Sequence, residues 1–202
     1  MDDISLDDLL KSLPSNHLEF MQELLDSNHS EECIENLYSY DLSLVESVMS
    51  YYRIGYDIVP LILLGDSDWY LKFLLDCVLH RVDLKKLVNS EIKLSYAQVY
   101  NLLNAMCLGY DIDSLLSDPT PTLKDVLDEC LNQEKGFGNN SNSVFLVEGE
   151  NEEGELISNT IVAPSIRYSK LLSCLEGGWD VFTCKSKLVD LNLCGIVSSN
   201  FY

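Results

Sequence analysis

Two pairs of carboxylates, Asp66-Ser67-Asp68 and Asp111-Ile112-Asp113, have the residue type and spacing to hold a hard cation. A calcium loop also needs a turn glycine and a distal bidentate glutamate. Neither pair continues into them, so both read as helix caps and no metal ligand is assigned. Seven cysteines stand at 33, 77, 107, 130, 174, 184 and 194, an odd number with no CxxC spacing. Five of them (Cys77, Cys107, Cys130, Cys174 and Cys194) lie in apolar stretches, which reads as reduced buried thiol and not as a disulfide framework or zinc ribbon. His17, His29 and His80 are scattered, and no local Cys–His spacing would activate a nucleophile. His17 and His80 fall on expected helices as ordinary core or surface histidines. Phosphate loops, dinucleotide fingerprints, nucleophile elbows and HExxH are absent, and Gly136-Phe137-Gly138 is too isolated to cradle a phosphate. The sequence names no reaction: a non-enzymatic protein without cofactor or metal is expected.

What remains is charge. The 202 residues hold 33 Asp+Glu against 13 Lys+Arg, a formal net charge of −20. Neutralising nucleic-acid phosphates or an anionic membrane needs clustered Lys and Arg, so neither is an expected partner. The acid is unevenly placed. Residues 1–50 carry twelve acids and one base, 51–100 six of each, 101–150 nine and two, and 151–202 six and four. Blocks of this kind set up a directional field. The candidate partner-binding surface is Asp2, Asp3, Asp7, Asp8, Glu19, Glu23, Asp26, Glu31, Glu32 and Glu35. A second acidic patch comprises Asp113, Asp118, Asp125, Asp128, Glu129, Glu150, Glu152 and Glu153. A carboxylate row on helices approaches a phosphate track in charge density, so the expected partner is a protein with a basic surface, such as a nucleic-acid-binding nuclease complex. Solubility alone is the plainer use of the same charge. Tyr51 and Tyr52 read as core packing more readily than as interface.

These residues must be carried by helices. Hydrophobic residues make up 47% of the chain, enough for a core, in one helical domain plus a small second one. Ser5 can cap a helix bearing Leu6, Leu9, Leu10 and Leu13, which Pro14 stops. Ser15 can cap the next, with Leu18, Met21, Leu24 and Leu25 inward and Glu19, Glu23 and Asp26 outward; Ser30 opens a short third through Tyr38. Four sets then share i, i+3, i+4, i+7 spacing. They are Val45-Val48-Met49-Tyr52, Leu71-Leu74-Leu75-Val78, Val99-Leu102-Leu103-Met106 and Leu123-Val126-Leu127-Cys130. In the first three, Asp57, Asp83 and Asp111 follow at one offset, each trailed by aliphatics. Each unit reads as a long helix, a break, and a short helix with Asp at or near its N-cap. Gly55 and Gly109 suit the left-handed helix end. One unit cannot bury its stripe alone, but stacked neighbours can. The fourth unit stops at Gln133 and reads as a terminal cap.

The stretch from Gln98-Val99-Tyr100-Asn101-Leu102 through Gly109-Tyr110-Asp111-Ile112 resembles a degenerate helical repeat of proteins from Firmicutes, their phages and their plasmids. Tyr56-Asp57-Ile58 is a second copy, and Val82-Asp83-Leu84, with Arg81 in place of glycine, a third. The resemblance covers residues 42–131. It implies an interaction scaffold and a phage or mobile-element setting, in which small acidic anti-CRISPR and other anti-defence inhibitors are the analogy.

After a linker at 134–143 the texture changes. Val144–Val147 and Leu156–Val162 read as strands joined by an acidic hairpin at 150–155. Pro164-Ser165 opens a helix to about Leu175, ended by Gly177-Gly178; Trp179–Cys184 and Cys194–Val197 read as further strands. The expected fold is therefore mainly α: a helical repeat domain (1–133), a linker (134–143) and a small α+β domain of ββαββ order (144–202). A unit that small packs against the helices or pairs with a second copy, so a homodimer is a candidate assembly. The N-terminus is acidic where a signal peptide would be basic, and the longest apolar run, Ile58–Leu64, contains Pro60 and is too short for a bilayer. A cytoplasmic protein is expected.

Overall fold

The computed structural model describes residues 15–26, 35–37, 39–65, 67–88, 94–117, 120–151 and 153–189. Its contacts divide the chain into two units, Met1–Ser90 and Glu91–Tyr202. The expected Ser5 helix, Ser30 and the 194–197 strand lie outside the described residues.

The described part of the first unit is helical: α1 (Ser15–Asp26), α2 (Leu42–Arg53), α3 (Val59–Leu64), α4 (Asp68–Leu79) and α5 (Lys85–Val88). The apolar periodicity explains the packing. On α1, Phe20, Met21 and Leu24 are buried while Glu19 and Glu23 are exposed. On α2 the stripe buries Val45, Val48 and Met49, and Tyr52 meets Phe20 edge-on at 5.5 Å. Asp41 caps α2 by accepting the Ser43 N–H at 2.8 Å, and Ser67 caps α4 by accepting from Tyr70. Helix α2 packs on α1 and α4, and α3 packs on α4 and α5.

The helix breaks share one hydrogen-bond pattern. After α2, Gly55 donates to the Tyr52 carbonyl and Tyr56 to that of Tyr51, at 2.9 and 3.0 Å. After α4, Arg81 donates to Val78 and Val82 to Cys77, both at 2.9 Å. These are the paired bonds of a Schellman end, which needs a left-handed residue. Gly55 takes φ +87° and Arg81 φ +62°. Asp57 and Asp83 then accept the N–H two residues on, from Val59 and Lys85, at 3.1 and 3.2 Å. A side-chain-bearing residue is strained at this position, although glycine gives back part of the gain as unfolded-state entropy. Arg81→Gly is therefore expected to stabilise the chain by about 1 kcal/mol, read as a higher urea midpoint at unchanged m-value.

The second unit runs α6 (Tyr96–Cys107), a 3₁₀ turn (Leu115–Ser117), α7 (Leu123–Gly136), β1 (Ser143–Glu150), β2 (Leu156–Ala163), α8 (Ile166–Gly177) and β3 (Lys185–Leu188). Ser95 with Gln98, and Thr122 with Asp125, close capping boxes at the starts of α6 and α7. The same end recurs here. Gly109 and Gly138 take φ +78° and +86°; Tyr110 donates to Ala105 at 3.0 Å and Asn139 to Glu134 at 3.1 Å. Helix α7 thus runs to Gly136, beyond the Gln133 expected, and Gly138 is its left-handed stop; the first three residues of the expected 134–143 linker are helical and the last, Ser143, begins β1.

The three strands form an antiparallel sheet of order β2-β1-β3. Phe145, Val147 and Gly149 of β1 are buried, in strand alternation. Helix α8 packs on all three strands and also on α6 and α7. That shared packing places the division at 90/91 and not at the 133/134 that composition indicated: α6 and α7 belong to the core under the sheet. The fold is mainly α with a C-terminal antiparallel sheet. The strand expected over Trp179–Cys184 is a turn. Trp179 makes a single bridge to Asn151, Asp180 accepts the Phe182 N–H on its carboxylate, and its carbonyl accepts from Thr183 and Cys184. An Asp side chain that captures the backbone two residues on forces a turn whatever the β-propensity around it, and the strand begins only at Lys185. No helix among the described residues is long and apolar enough to cross a membrane.

Candidate functional site

The acidic N-terminal face is built on α1 and α2. Glu19 and Glu23 project one turn apart, and Glu35 is exposed. Asp26 ends α1. Asp2, Asp3, Asp7, Asp8, Glu31 and Glu32 lie outside the described residues. Two carboxylates missing from the expected set extend this face: Asp41, exposed at the α2 cap, and Glu46, whose side chain is 62% exposed. Hydrogen bonds from Ser43 hold the Asp41 carboxyl below its ordinary range. Between Lys11 and Arg53 the sequence contains no Lys or Arg, and that was the signal available for both. Beneath Glu46 sits His17, buried with neither ring nitrogen hydrogen-bonded and with the Glu46 carboxylate 3.8 Å from Nε2.

The second acidic set does different work. Asp125 closes the α7 capping box, and its hydrogen bonds with Thr122 hold its carboxyl below the usual range. Glu129 accepts from Gln133 Nε2 at 3.1 Å, and Gln133 in turn clamps both backbone groups of Asp111. Glu150 is half-buried at the end of β1, where its N–H donates to Thr183 and its carbonyl accepts from Asp180. Asp113, Asp128 and Glu153 are exposed; Asp118 and Glu152 lie outside the described residues. The carboxylates of Asp125 and Glu129 are thus engaged within α7, which leaves a thinner docking face than residue counting implied.

A buried polar cluster was not anticipated. Glu134, on the inner face of α7, is 1% exposed. Its carboxylate accepts from Tyr110 Oη at 2.7 Å, Asn139 Nδ2 at 2.6 Å and Arg167 Nε at 2.9 Å. The Arg167 guanidinium lies 3.9 Å from the centre of the Tyr110 ring, and its Nη1 donates to the Gly109 carbonyl at 3.3 Å. Burial alone would raise the Glu134 carboxyl, but hydrogen bonds from Tyr110, Asn139, Arg167 and Ser165 outweigh it and hold it below the ordinary range. Burial and the bond to Glu134 push the Tyr110 hydroxyl far up, while burial raises Cys130 and Tyr168 to about 12. An adjoining cleft of about 570 Å³ is lined by Phe137, Phe145, Pro164, Ile166 and Leu188. These bonds fasten α7, α8 and the Gly109 turn together. The i, i+4, i+8 row Val126, Cys130, Glu134 was its one sequence signal.

In the first unit the two Asp turns lie side by side. Lys85 Nζ is 2.9 Å from Asp57 Oδ2, which raises the Lys85 ammonium above its usual value, and a cleft of about 360 Å³ opens between the turns past Tyr56, Pro60 and Arg81. In the second unit Cys174 and Cys184 are buried with sulfurs 3.8 Å apart; the hydrogen-bonding contact with Cys184 and burial raise the Cys174 thiol. Cys184 had not been placed in the core by its neighbours in sequence, and Cys107 is only half-buried. Among the described residues no three His, Cys, Asp or Glu side chains gather closely enough to hold a metal ion. Asp68 and Asp111 act on backbone: Asp68 accepts the Asp41 N–H at 3.0 Å, and Asp111 that of Asp113 at 3.0 Å.

Comparison of the chain with protein-family models, with curated proteins and with solved structures finds no match.

Proposed function

We propose that this is a non-enzymatic binding protein whose acidic N-terminal helical face engages a basic protein partner, in the manner of a phage or mobile-element inhibitor that occupies the nucleic-acid groove of a host defence nuclease. The observation that carries this reading is the set of exposed carboxylates Glu19, Glu23, Glu35, Asp41 and Glu46, in a stretch with no Lys or Arg between positions 11 and 53. Phe20, Met21 and Leu24 of α1 and Val45, Val48 and Met49 of α2 are buried, so the opposite faces of these helices carry the carboxylates outward. The phage setting rests on the helical-repeat resemblance and the partner class on charge complementarity. The host-cell cytosol is the compartment this reading entails.

The test is binding to, and inhibition of, purified nuclease complexes with and without the substitutions Glu19→Gln, Glu23→Gln, Glu35→Gln and Glu46→Gln made together. The combined variant should weaken binding on the order of tenfold at low salt, chiefly through a slower on-rate, with the difference shrinking as salt rises. Affinity unchanged by the four substitutions, or indifferent to salt, overturns the reading.

A second reading has its own support. The helix end shared by the Gly55, Arg81, Gly109 and Gly138 turns favours a stacked helical-repeat scaffold, with the C-terminal unit as specific reader or dimeriser. Truncation before residue 143 is a poor test of it, because that would strip α8 from α6 and α7. Substitution at exposed sheet positions leaves that core in place.

A further inference from the structure

We infer that the edge of β2 opposite β1, which bears no strand among the described residues, is a docking edge for β2 of a second copy of this chain, paired antiparallel about Asn159, so that two three-stranded sheets join into one of six strands. This deepens the reading of the C-terminal unit as a dimeriser and is independent of what the acidic face binds.

Among the described residues β2 has β1 on one side and no strand on the other. An unpaired row of N–H and C=O groups invites another strand, and proteins ordinarily blunt such an edge with charge, proline, a bulge or brevity. The other edge of this sheet is blunted in that way: β3 has four residues, two of them Lys185 and Lys187. Strand β2 has eight residues, Leu-Ile-Ser-Asn-Thr-Ile-Val-Ala, without charge or proline, and pairs with β1 in unbroken register without a bulge. Leu156 and Val162 near its two ends are 83% and 56% exposed. In a chain of net charge −20, two copies repel through their acidic stretches. The β2 edge is an eight-residue stretch where they meet without like charge.

The strand's own pattern selects the partner and the register. Side chains alternate, so Ile157, Asn159, Ile161 and Ala163 share the face of buried Phe145 and Val147, and Leu156, Ser158, Thr160 and Val162 the other. A joined sheet with both α8 helices on one side must oppose residues of the same face. Centring on Asn159 does so and matches like with like: Leu156 with Val162, Ile157 with Ile161, Ser158 with Thr160, and Asn159 with itself. Centring on Thr160 would oppose Asn159 to Ile161 and Ser158 to Val162. The chosen register carries the apolar row Phe145–Ile161 across the seam to Ile157 of the second copy, and the row Val144–Val162 to Leu156 of the second copy. It also directs the acidic turn at Glu153 and Glu155 toward Ser165 of the second copy, the cap of twelve-residue α8, where the helix dipole favours negative charge.

Sedimentation of the full chain over a concentration series tests this. The expected result is a reversible shift from monomer to doubled mass. The double variant Ser158→Lys/Thr160→Lys, which sets four like charges across the seam from exposed positions, should raise the dissociation constant at least tenfold, with far-ultraviolet dichroism unchanged and a thermal midpoint matching that of the parent at concentrations where the parent is monomeric. Asn159→Cys should form a covalent dimer on mild oxidation, with a 159–159 linked peptide found by mass after digestion. A chain that stays monomeric throughout leaves the edge to another protein's strand or to none, and overturns the inference. So does a folded lysine variant that dimerises as tightly as the parent, or a dimer from which the 159–159 peptide is missing. Loss of nuclease binding in the four-glutamine variant with the dimer intact would bear on the proposed function alone.

Discussion

Arg167→Leu is expected to lower the stability of the 91–202 unit by about 3 kcal/mol, the largest single loss foreseen from a surface-reaching residue. The guanidinium is 28% exposed, but the carboxylate it pairs with is not. Removing it leaves Glu134 charged and buried with only Tyr110, Asn139 and Ser165 to hold it. It also removes the cation stacked on Tyr110 and the donor to Gly109. Replacing both members of such a pair by apolar residues costs less than breaking it. The double variant Glu134→Leu/Arg167→Leu should therefore recover part of the loss in urea unfolding, and additive losses would show that the pair is not coupled. The pH dependence has a definite sign. A carboxyl held below its ordinary value on folding contributes stability that is complete above the unfolded value and disappears as pH falls through the folded one. Stability should thus fall from about pH 4.5 downward, with a shallower slope in Glu134→Gln. An identical slope in the two proteins would assign the acid sensitivity to other carboxylates.

Trp179→Ala should cost about 4 kcal/mol. Trp179 is 1% exposed and lies against two glycines. A Cβ at Gly177 would stand 2.7 Å from its Nε1, and one at Gly149 would stand 3.1 Å from its Cε3 and 3.0 Å from Cys184 Sγ. The indole fills a slot that the sequence keeps open by omitting two side chains, so truncation leaves a cavity that close-packed neighbours cannot refill. The same slot explains why Gly149→Ala should itself cost about 1–3 kcal/mol. The Cys184 backbone at 3.3 Å cannot give way as a side chain would. Chemical unfolding of the three proteins under reducing conditions checks both values, and a Trp179→Ala loss under about 1 kcal/mol would mean that the slot collapses.

Much of the architecture is legible in the chain because helices and hairpins are decided locally. The stripes Val45-Val48-Met49 and Leu71-Leu74-Leu75, the cap Ser165, and the stops Gly55, Gly109 and Gly178 act over a turn or two. Arg81 shows the limit of reading residue types: the turn keeps its geometry there because the surrounding bonds impose it on a non-glycine residue. The acidic face was half legible. Outward carboxylates follow from helix period, but Asp125 and Glu129 are drawn into helix ends by partners that composition does not reveal.

The sequence by itself determined the helix periods, the left-handed stops, the hairpin and the acidic field, because each arises from residues within hydrogen-bonding or side-chain reach along the chain. Only the tertiary structure decided that α6 and α7 share a core with the sheet, that Glu134 finds Arg167 33 positions away, and that β3 begins at Lys185. Those outcomes depend on which distant surfaces exclude water together, and no local pattern of side chains encodes that choice.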